Sequence, residues 1–481
     1  MNLAADWSVL SPEIVIGSAA VLIFLLDAVF WPRQSSRGIG YICLCVSLIA
    51  LCLELMEWNQ EVNAAAFGGM YARDAFSSFF HVLLLGVTVL ILLLALQYLP
   101  RDACSEFYPL IMIASLGTMV SVAATNLVLV YVGLELTTLS LCVISVYAAR
   151  PGHAVEAAAK FYVMGALGSA VILYGGSLVY GAVGSTGLRE LSVHLLSSGA
   201  GDPLLLGGLA FLLVGLCVKA AILPFHMWAP DVRHGASAPV AGFLSVAPGA
   251  AALAVLMRFF LFGAEQLTHR WVPAIAVLAI ATMVGGYLLA MNQRNLKRLL
   301  AYAFLAQGGF VLMGIAAVNP DGVVGAVFQI CVSALAAAGC YSLLVMCRRP
   351  VEDETEIGDY AGLAHRHPGI ALIFALLLLN LAGLPPSAGF ASRFLLMGAA
   401  AQAGQFVLVA VAALATVLSA YVACRLIVSV YMRPAAAAPV DVRIAPEPMA
   451  VLLLTATATL ALGLFPDILI GIVRSSIVSV M

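Results

Sequence analysis

Residues 203–231 read PLLLGGLAFLLVGLCVKAAILPFHMWAPD. From Leu204 to Ile222 the run is long and apolar enough to cross a hydrocarbon core as a helix, yet it carries Lys219 and stops at Leu223-Pro224. Proline removes a backbone donor and clashes with the preceding turn. Freed backbone at membrane depth persists only against protein or a wet cavity, so the break at Pro224 marks a candidate site. A second run repeats the device, with Gly383-Leu384-Pro385-Pro386 preceding Gly389 and Arg393. Paired broken helices, five spans apart and each with a basic residue near its break, are what an inverted repeat produces.

Outward from these two stretches, apolar runs divided by Pro, Gly and charged clusters predict spans at 12–31, 38–57, 76–98, 107–124, 127–148, 160–184, 204–222, 241–263, 272–292, 299–318, 322–346, 369–400, 404–431 and 448–470. These are fourteen helices of an all-α polytopic membrane protein, because a β-barrel would show short alternating segments. They leave no room for a separate soluble domain. Composition agrees: 63% of the residues are hydrophobic and 10% charged, against roughly 25% charged in soluble domains. The net charge of −2, without a long basic run, excludes a nucleic-acid partner. The ten cysteines, including Cys104, lie almost entirely in apolar runs without a CxxC pair and read as small core residues, not metal ligands. Any redox centre is expected elsewhere. The first apolar run lacks a basic leader and a small-residue cleavage site, so it reads as a retained span.

Basic residues set the expected orientation. Fifteen of the 22 Lys and Arg fall on one side, among them Arg33, Arg101, Arg150, Lys160, Arg348 and Arg349. Five (Arg73, Arg189, Arg258, Arg270 and Arg474) fall on the other, while Lys219 and Arg393 lie inside spans. The richer side is expected to be cytoplasmic, which puts both termini on the periplasmic side. His226, Trp228, Trp271 and Tyr360 fit an interfacial belt, and Glu352-Asp353-Glu354-Thr355-Glu356 reads as a solvated loop.

An ionisable group at mid-span costs at least ~2.5–3.5 kcal/mol and marks a proton or ion route. Glu135, eight residues after Leu127, sits roughly 12 Å into its span at about 1.5 Å per residue. Lys219 and Arg393 also qualify, the latter flanked by Phe390 and Phe394. Glu135 and Lys219 read either as a structural ion pair or as a working one, in which a low-dielectric site favours the neutral amine and the neighbouring carboxylate restores the ammonium. Lys160, where span six begins, reads either as a second base or as a snorkelling anchor.

Several motifs carry a resemblance: Gly133-Leu134-Glu135-Leu136, Lys219 through Val232, Gly235-Ala236-Ser237-Ala238-Pro239-Val240, Asn295 through Tyr302, and Leu381-Ala382-Gly383-Leu384-Pro385-Pro386. Together they are similar to the subunit N (mitochondrial subunit 2) family of bacterial NADH–quinone oxidoreductase, the antiporter-like membrane subunits of respiratory complex I. The resemblance implies an N-terminal three-helix segment (1–106), a first repeat of spans four to eight (107–263), a second of spans nine to thirteen (264–433), and a last span with its tail (434–481). It implies Glu135 and Lys219 as the coupled acid–base pair. It also implies a lysine in span eight, a histidine in span ten and a lysine in span twelve, where this chain has Gly249, Gln307 and Arg393. Glycine and glutamine do not titrate and arginine stays protonated.

The expected function is therefore a membrane-arm subunit of a proton-translocating NADH–quinone oxidoreductase in the bacterial inner membrane. Quinone reduction elsewhere would be coupled to proton transfer through the Glu/Lys pair, with an impaired second half-channel. The chain is expected to hold no cofactor; NADH, FMN, iron–sulfur clusters and quinone belong to partner subunits of the membrane and peripheral arms. Two other classes stay open. One is a cation/proton antiporter or membrane-bound hydrogenase subunit; the other is a non-pumping spacer of the membrane arm.

Overall fold

The computed structural model describes residues 7, 9–30, 36–58, 64–99, 105–147, 151–198, 201–347, 356–434 and 440–478. Arg33, Arg101, Cys104, Arg150, Arg348, Arg349 and the acidic residues 352–354 lie outside them. Helices α1 (Ser11–Phe30) and α2 (Ser36–Trp58) are followed by a hairpin of β1 (Ala64–Ala66) and β2 (Tyr71–Arg73), in which Ala64 pairs with Arg73 and Ala66 with Tyr71. Helix α3 (Ala75–Tyr98) completes the N-terminal segment. The stretch expected as the first repeat holds α4 (Phe107–Ala123), α5 (Leu127–Val146), α6 (Pro151–Val183), α7 (Leu188–Ser198), α8 (Pro203–Lys219), α9 (Trp228–Gly235), α10 (Ala238–Leu244) and α11 (Ala247–Leu256), the last continuing as a π-helical turn over Met257–Gly263. The stretch expected as the second holds α12 (Thr268–Met291), α13 (Leu296–Ala316), α14 (Pro320–Met346), α15 (Leu363–Arg366), α16 (Pro368–Ala382), α17 (Ala388–Gln402) and α18 (Phe406–Met432). Helices α19 (Pro446–Leu464) and α20 (Asp467–Val478) end the described chain.

Among the described residues ten helical segments are long and apolar enough to cross a membrane. Helices α1 and α4, the interrupted pair α8/α9 and the interrupted pair α16/α17 supply the remaining crossings of the fourteen. The two repeats share one packing scheme. In each, the first two helices lie face to face (α4 on α5, α12 on α13), and the third packs on both halves of the broken one (α6 on α8 and α9, α14 on α16 and α17). Glycine sets the first contact in both: a Cβ at Gly133 would stand 2.7 Å from the Ser121 nitrogen, and one at Gly309 2.7 Å from the Met283 nitrogen. Side-chain amides and carboxylates start these helices by accepting from free N–H groups of the first turn. Asp74 caps α3, Asn126 caps α5, Asn295 caps α13 and Asn319 caps α14.

Three features differ from the sequence expectation. Helix α6 starts at Pro151, nine residues before the predicted 160, because the Ala-rich stretch ahead of the apolar run continues the helix. The amphipathic helices α7 and α20, of 11 and 12 residues, are too short to read as spans; α7 buries Leu191 and Leu195 and leaves Leu196 exposed. Trp228, Trp271 and Tyr360 are buried core residues and not a lipid-facing belt, since the indole N–H groups of the two tryptophans donate to freed backbone carbonyls, Val218 at 3.1 Å and Ala264 at 2.9 Å.

Candidate functional site

The first break is closed by groups from both repeats. The chain leaves α8 at Lys219, passes Ala221 in the left-handed region at φ 57°, and crosses a cis Leu223–Pro224 bond before α9. Trp228 satisfies the Val218 carbonyl, and Thr282 of α12 accepts from the Leu223 N–H at 3.2 Å. Trp228→Phe keeps the ring but leaves that carbonyl to the Ala221 N–H at 3.3 Å, a loss of about 0.5–1.5 kcal/mol. The expected result is a lower thermal midpoint for the purified assembly, read by scanning fluorimetry; an unchanged midpoint would show that the indole N–H does not hold the break.

At this break Lys219 Nζ donates to Glu135 Oε1 at 2.9 Å and to Thr138 Oγ1 at 2.9 Å, and Ser169 Oγ of α6 donates to the same carboxylate oxygen. Three helices, α5, α6 and α8, thus meet at one ion pair. The lysine is buried, while the Glu135 side chain keeps 20% of its surface exposed. An ammonium has three hydrogens, and Glu135 and Thr138 take two of them. Beside Lys219 lies a space of about 10 Å³ lined by Thr137, Thr138, Phe161, Gly165, Trp228 and Pro248, close to the least volume that holds one water.

Lys160 stands apart from this pair. It lies nine residues inside α6, partly exposed, and ion-pairs with Glu156 one turn earlier and with Asp231 of α9, each at 2.8 Å. Asp231 in turn pairs with Arg298 of α13. A cavity of about 460 Å³ opens beside Lys160, Met227 and Asp231.

The second break is built differently. Gly383 ends α16 at φ 70°, and a Cβ there would stand 2.4 Å from Arg393 Cδ. Pro385 and Pro386 follow, joined by a cis bond. Arg393 is buried and donates to the two carbonyls that the break sets free, Leu381 at 2.7 Å and Ala382 at 2.6 Å, and to Tyr287 Oη and Ser419 Oγ, each at 2.8 Å. Its guanidinium lies 4.2 Å from the Phe310 ring centroid. Phe390 and Phe394 do not shield it: both are exposed and stack on each other. No carboxylate among the described residues lies within ion-pair distance of Arg393. Its counter-charge is the negative end of the half-helix α16.

Gln307 is fully engaged beside it. The Gln307 amide donates to Tyr287 Oη and to the Leu381 carbonyl, each at 2.9 Å, and its oxygen accepts from Gln329 Nε2 at 2.8 Å. Ser392 donates to Gln329. Gly249 faces a gap: the nearest atom to a Cβ there is the Ala220 carbonyl oxygen at 3.9 Å. That gap is a cavity of about 40 Å³ running from Ala220 past Gly249, Ser245 and Arg233 to Gln307 and Ser333, room for a few waters at ~10–15 Å³ each.

Sequence reasoning named three ionisable groups inside spans, and the structure buries more. Arg258 pairs with Asp74 through both terminal nitrogens, at 2.7 and 3.0 Å, and donates to the Val122 carbonyl at 3.0 Å. Arg233 donates to the Ala301 and Leu244 carbonyls. Glu13, Glu54, Arg73 and His81 form a separate buried group. All lie within two or three turns of a helix end, where a charge reads as interfacial.

Residues 124–419 match the family described as NADH:quinone oxidoreductase/Mrp antiporter, transmembrane. The chain is 34% identical over 464 residues to NADH-quinone oxidoreductase subunit N 2 of Rhizobium meliloti strain 1021, covering 96% of each. It superposes on a chain of respiratory complex I from Thermus thermophilus with a TM-score of 0.82 at 31% identity, covering 96% of this chain and 98% of that one. A chain of the Mrp complex from Dietzia sp. gives a TM-score of 0.87 at 20% identity, a likeness of fold alone.

Proposed function

We propose that this chain, which belongs to the subunit N family of proton-translocating NADH–quinone oxidoreductases and is an antiporter-like membrane subunit of such a complex, moves protons through Glu135 and Lys219 and not through its second repeat. The observation that carries the reading is the direct Lys219–Glu135 contact of 2.9 Å at the first helix break, set against the absence of any titratable carboxylate, lysine or histidine beside Arg393 among the described residues. In a low-dielectric site a neighbouring carboxylate keeps an amine charged. Separating the two by a small helix movement releases the lysine proton; bringing them together recaptures it. Thr138 holds the ammonium in place, and Ser169 holds the carboxylate.

Beyond Ala220 the groups are Gly249, Gln307, Gln329, Ser392 and Arg393. The amides are tied in fixed donor and acceptor roles, and the guanidinium caps a half-helix, so none of them accepts and releases a proton at ordinary pH. Lys160, in its ion-pair network with Glu156, Asp231 and Arg298, stands at the end of the bundle from which protons would enter the first repeat. In this reading NADH oxidation and quinone reduction occur on partner subunits, and both termini face the periplasm.

Restoring the family's titratable groups tests the interruption. Gly249 has room for a side chain, so Gly249→Lys, alone and combined with Gln307→His and Arg393→Lys, is assayed in complex reconstituted into vesicles. The combined variant is expected to raise the number of protons pumped per NADH above the parent. A parent that already pumps at the ratio of relatives with an intact second repeat, unchanged by the three substitutions, would overturn the interruption.

A further inference from the structure

The N-terminal segment buries a group of charges that the Glu135–Lys219 site does not use. Glu13 of α1, Glu54 of α2, Arg73 of β2 and His81 of α3 are 3%, 0%, 5% and 1% exposed, far below what unpaired charges tolerate. Arg73 pairs with Glu54 at 2.8 Å and, through its other terminal nitrogen, with Glu57, whose side chain is 27% exposed. Ser11 donates to Glu57 at 2.6 Å. Tyr71 donates to Glu13 Oε1 at 2.6 Å. Burial, with Glu13 beside it, pushes the Tyr71 hydroxyl well above its ordinary range, so it remains a donor.

The imidazole decides what this group must hold. His81 Nε2 lies 3.1 Å from the Met119 carbonyl oxygen of α4, which only accepts, so Nε2 carries a hydrogen. The other ring nitrogen, Nδ1, lies 3.2 Å from Glu13 Oε1 and 3.7 Å from Glu54 Oε2. Nδ1 is buried beside two carboxylates without an aligned hydrogen bond; a bare lone pair there is repulsive, so a proton belongs among them, on Nδ1 or on a carboxyl. Charge points the same way: Glu13, Glu54 and Glu57 face one arginine, and one proton held among them lowers the excess negative charge from two to one. Glu13 Oε2 and Glu54 Oε1 are buried without a hydrogen-bond partner among the described residues, which leaves that proton more than one place to sit. The charged and titratable groups facing His81 are Glu13 from α1, Glu54 and Glu57 from α2, and Tyr71 and Arg73 from the hairpin. Asp74, at the start of the His81 helix, is taken by Arg258, and α4 offers His81 only a carbonyl.

We infer that Glu13, Glu54 and His81 together bind one exchangeable proton in the N-terminal three-helix segment. It exchanges with the aqueous phase at the end of the bundle where α1 begins, past Glu57, the partly exposed carboxylate that Arg73 joins to the group. A static salt-bridge cluster would need a fixed cation at position 81; an imidazole whose second nitrogen meets shared acceptors is a group that can give its proton up.

The test is a pH titration of the intact complex by infrared difference spectroscopy with ring-nitrogen-labelled histidine, on the parent, His81→Lys and Glu13→Gln. The parent is expected to show one coupled imidazole and carboxyl protonation step. His81→Lys, which keeps the positive charge and so supports assembly, is expected to lose the step, and Glu13→Gln to shift it. If His81→Lys does not assemble, the shift in Glu13→Gln decides alone. A parent without the step, or the same step in parent and variants, overturns the proposal.

Discussion

Lys219→Ala in the assembled complex is expected to lower proton transfer through this chain by ~10²-fold or more, the usual range for removing a positioned acid–base group. The readout is protons pumped per NADH in sealed vesicles, with complex assembly checked on native gels. Glu135→Gln is expected to do the same for a complementary reason: the lysine is left with a neutral partner in a dry site and no longer returns to the ammonium. Loss of function alone would not separate a relay from a structural ion pair, because removing one partner of a buried pair costs about 3–5 kcal/mol whatever its purpose. The double variant Lys219→Met with Glu135→Leu separates them. Replacing both members of a buried pair by apolar groups of similar size is often neutral or stabilising, so a purely structural pair predicts that the double variant assembles and pumps like the parent. The relay predicts that it assembles and does not pump. Recovery of pumping in the double variant would sink the assignment of Glu135 and Lys219.

How far the sequence reaches is clear from the two breaks. Pro224 and Pro385-Pro386 announced themselves because each breaks a long apolar run near a basic residue, and Lys219 and Glu135 announced themselves as charges at mid-span. Their meeting did not follow from spacing: they are 84 positions apart on helices whose facing sides are set by close glycine contacts such as Gly133 on Ser121. The closing of the breaks was hidden for a related reason. Trp228 and Thr282 look like an interfacial aromatic and an ordinary span residue until the Val218 carbonyl and Leu223 N–H they bond at the break are located. Phe394 misled because consecutive residues point to different sides of a helix, and Phe390, one turn before Arg393, stays exposed; the ring that covers Arg393 is Phe310, from α13. The Glu13, Glu54 and His81 group was illegible because each member is a single polar residue near a helix end, and only the packing of α1, α2 and α3 removes it from water. The fold was readable as a pattern of runs. The chemistry depended on which side each run turned inward.

Arg393→Ala is expected to destabilise the second repeat by about 3–5 kcal/mol, the cost of emptying a large buried site while leaving charge-assisted acceptors without their donor. Two effects oppose each other here. Removing the guanidinium relieves the cost of holding a cation away from water, several kcal/mol per buried ion. Against this stand four donated hydrogen bonds, at 2.6–2.8 Å, to Leu381, Ala382, Tyr287 and Ser419, each worth roughly 1.5–3 kcal/mol when the donor is charged. The Phe310 contact adds a desolvated cation–π term of about 2 kcal/mol. The bonds and the ring contact outweigh the relief, so thermal unfolding of the purified complex should show earlier loss of this subunit. Arg393→Lys keeps the charge and reaches some of the same acceptors; it should assemble and pump at the parent ratio, because Gly249 and Gln307 still leave no group to pass a proton on. A guanidinium acting as a relay would behave in the opposite way. Its lysine variant would acquire a new pH dependence of pumping, and its alanine variant would lose pumping at unchanged thermal stability. That pair of results would show that Arg393 is part of the proton route and not the cap of a broken helix.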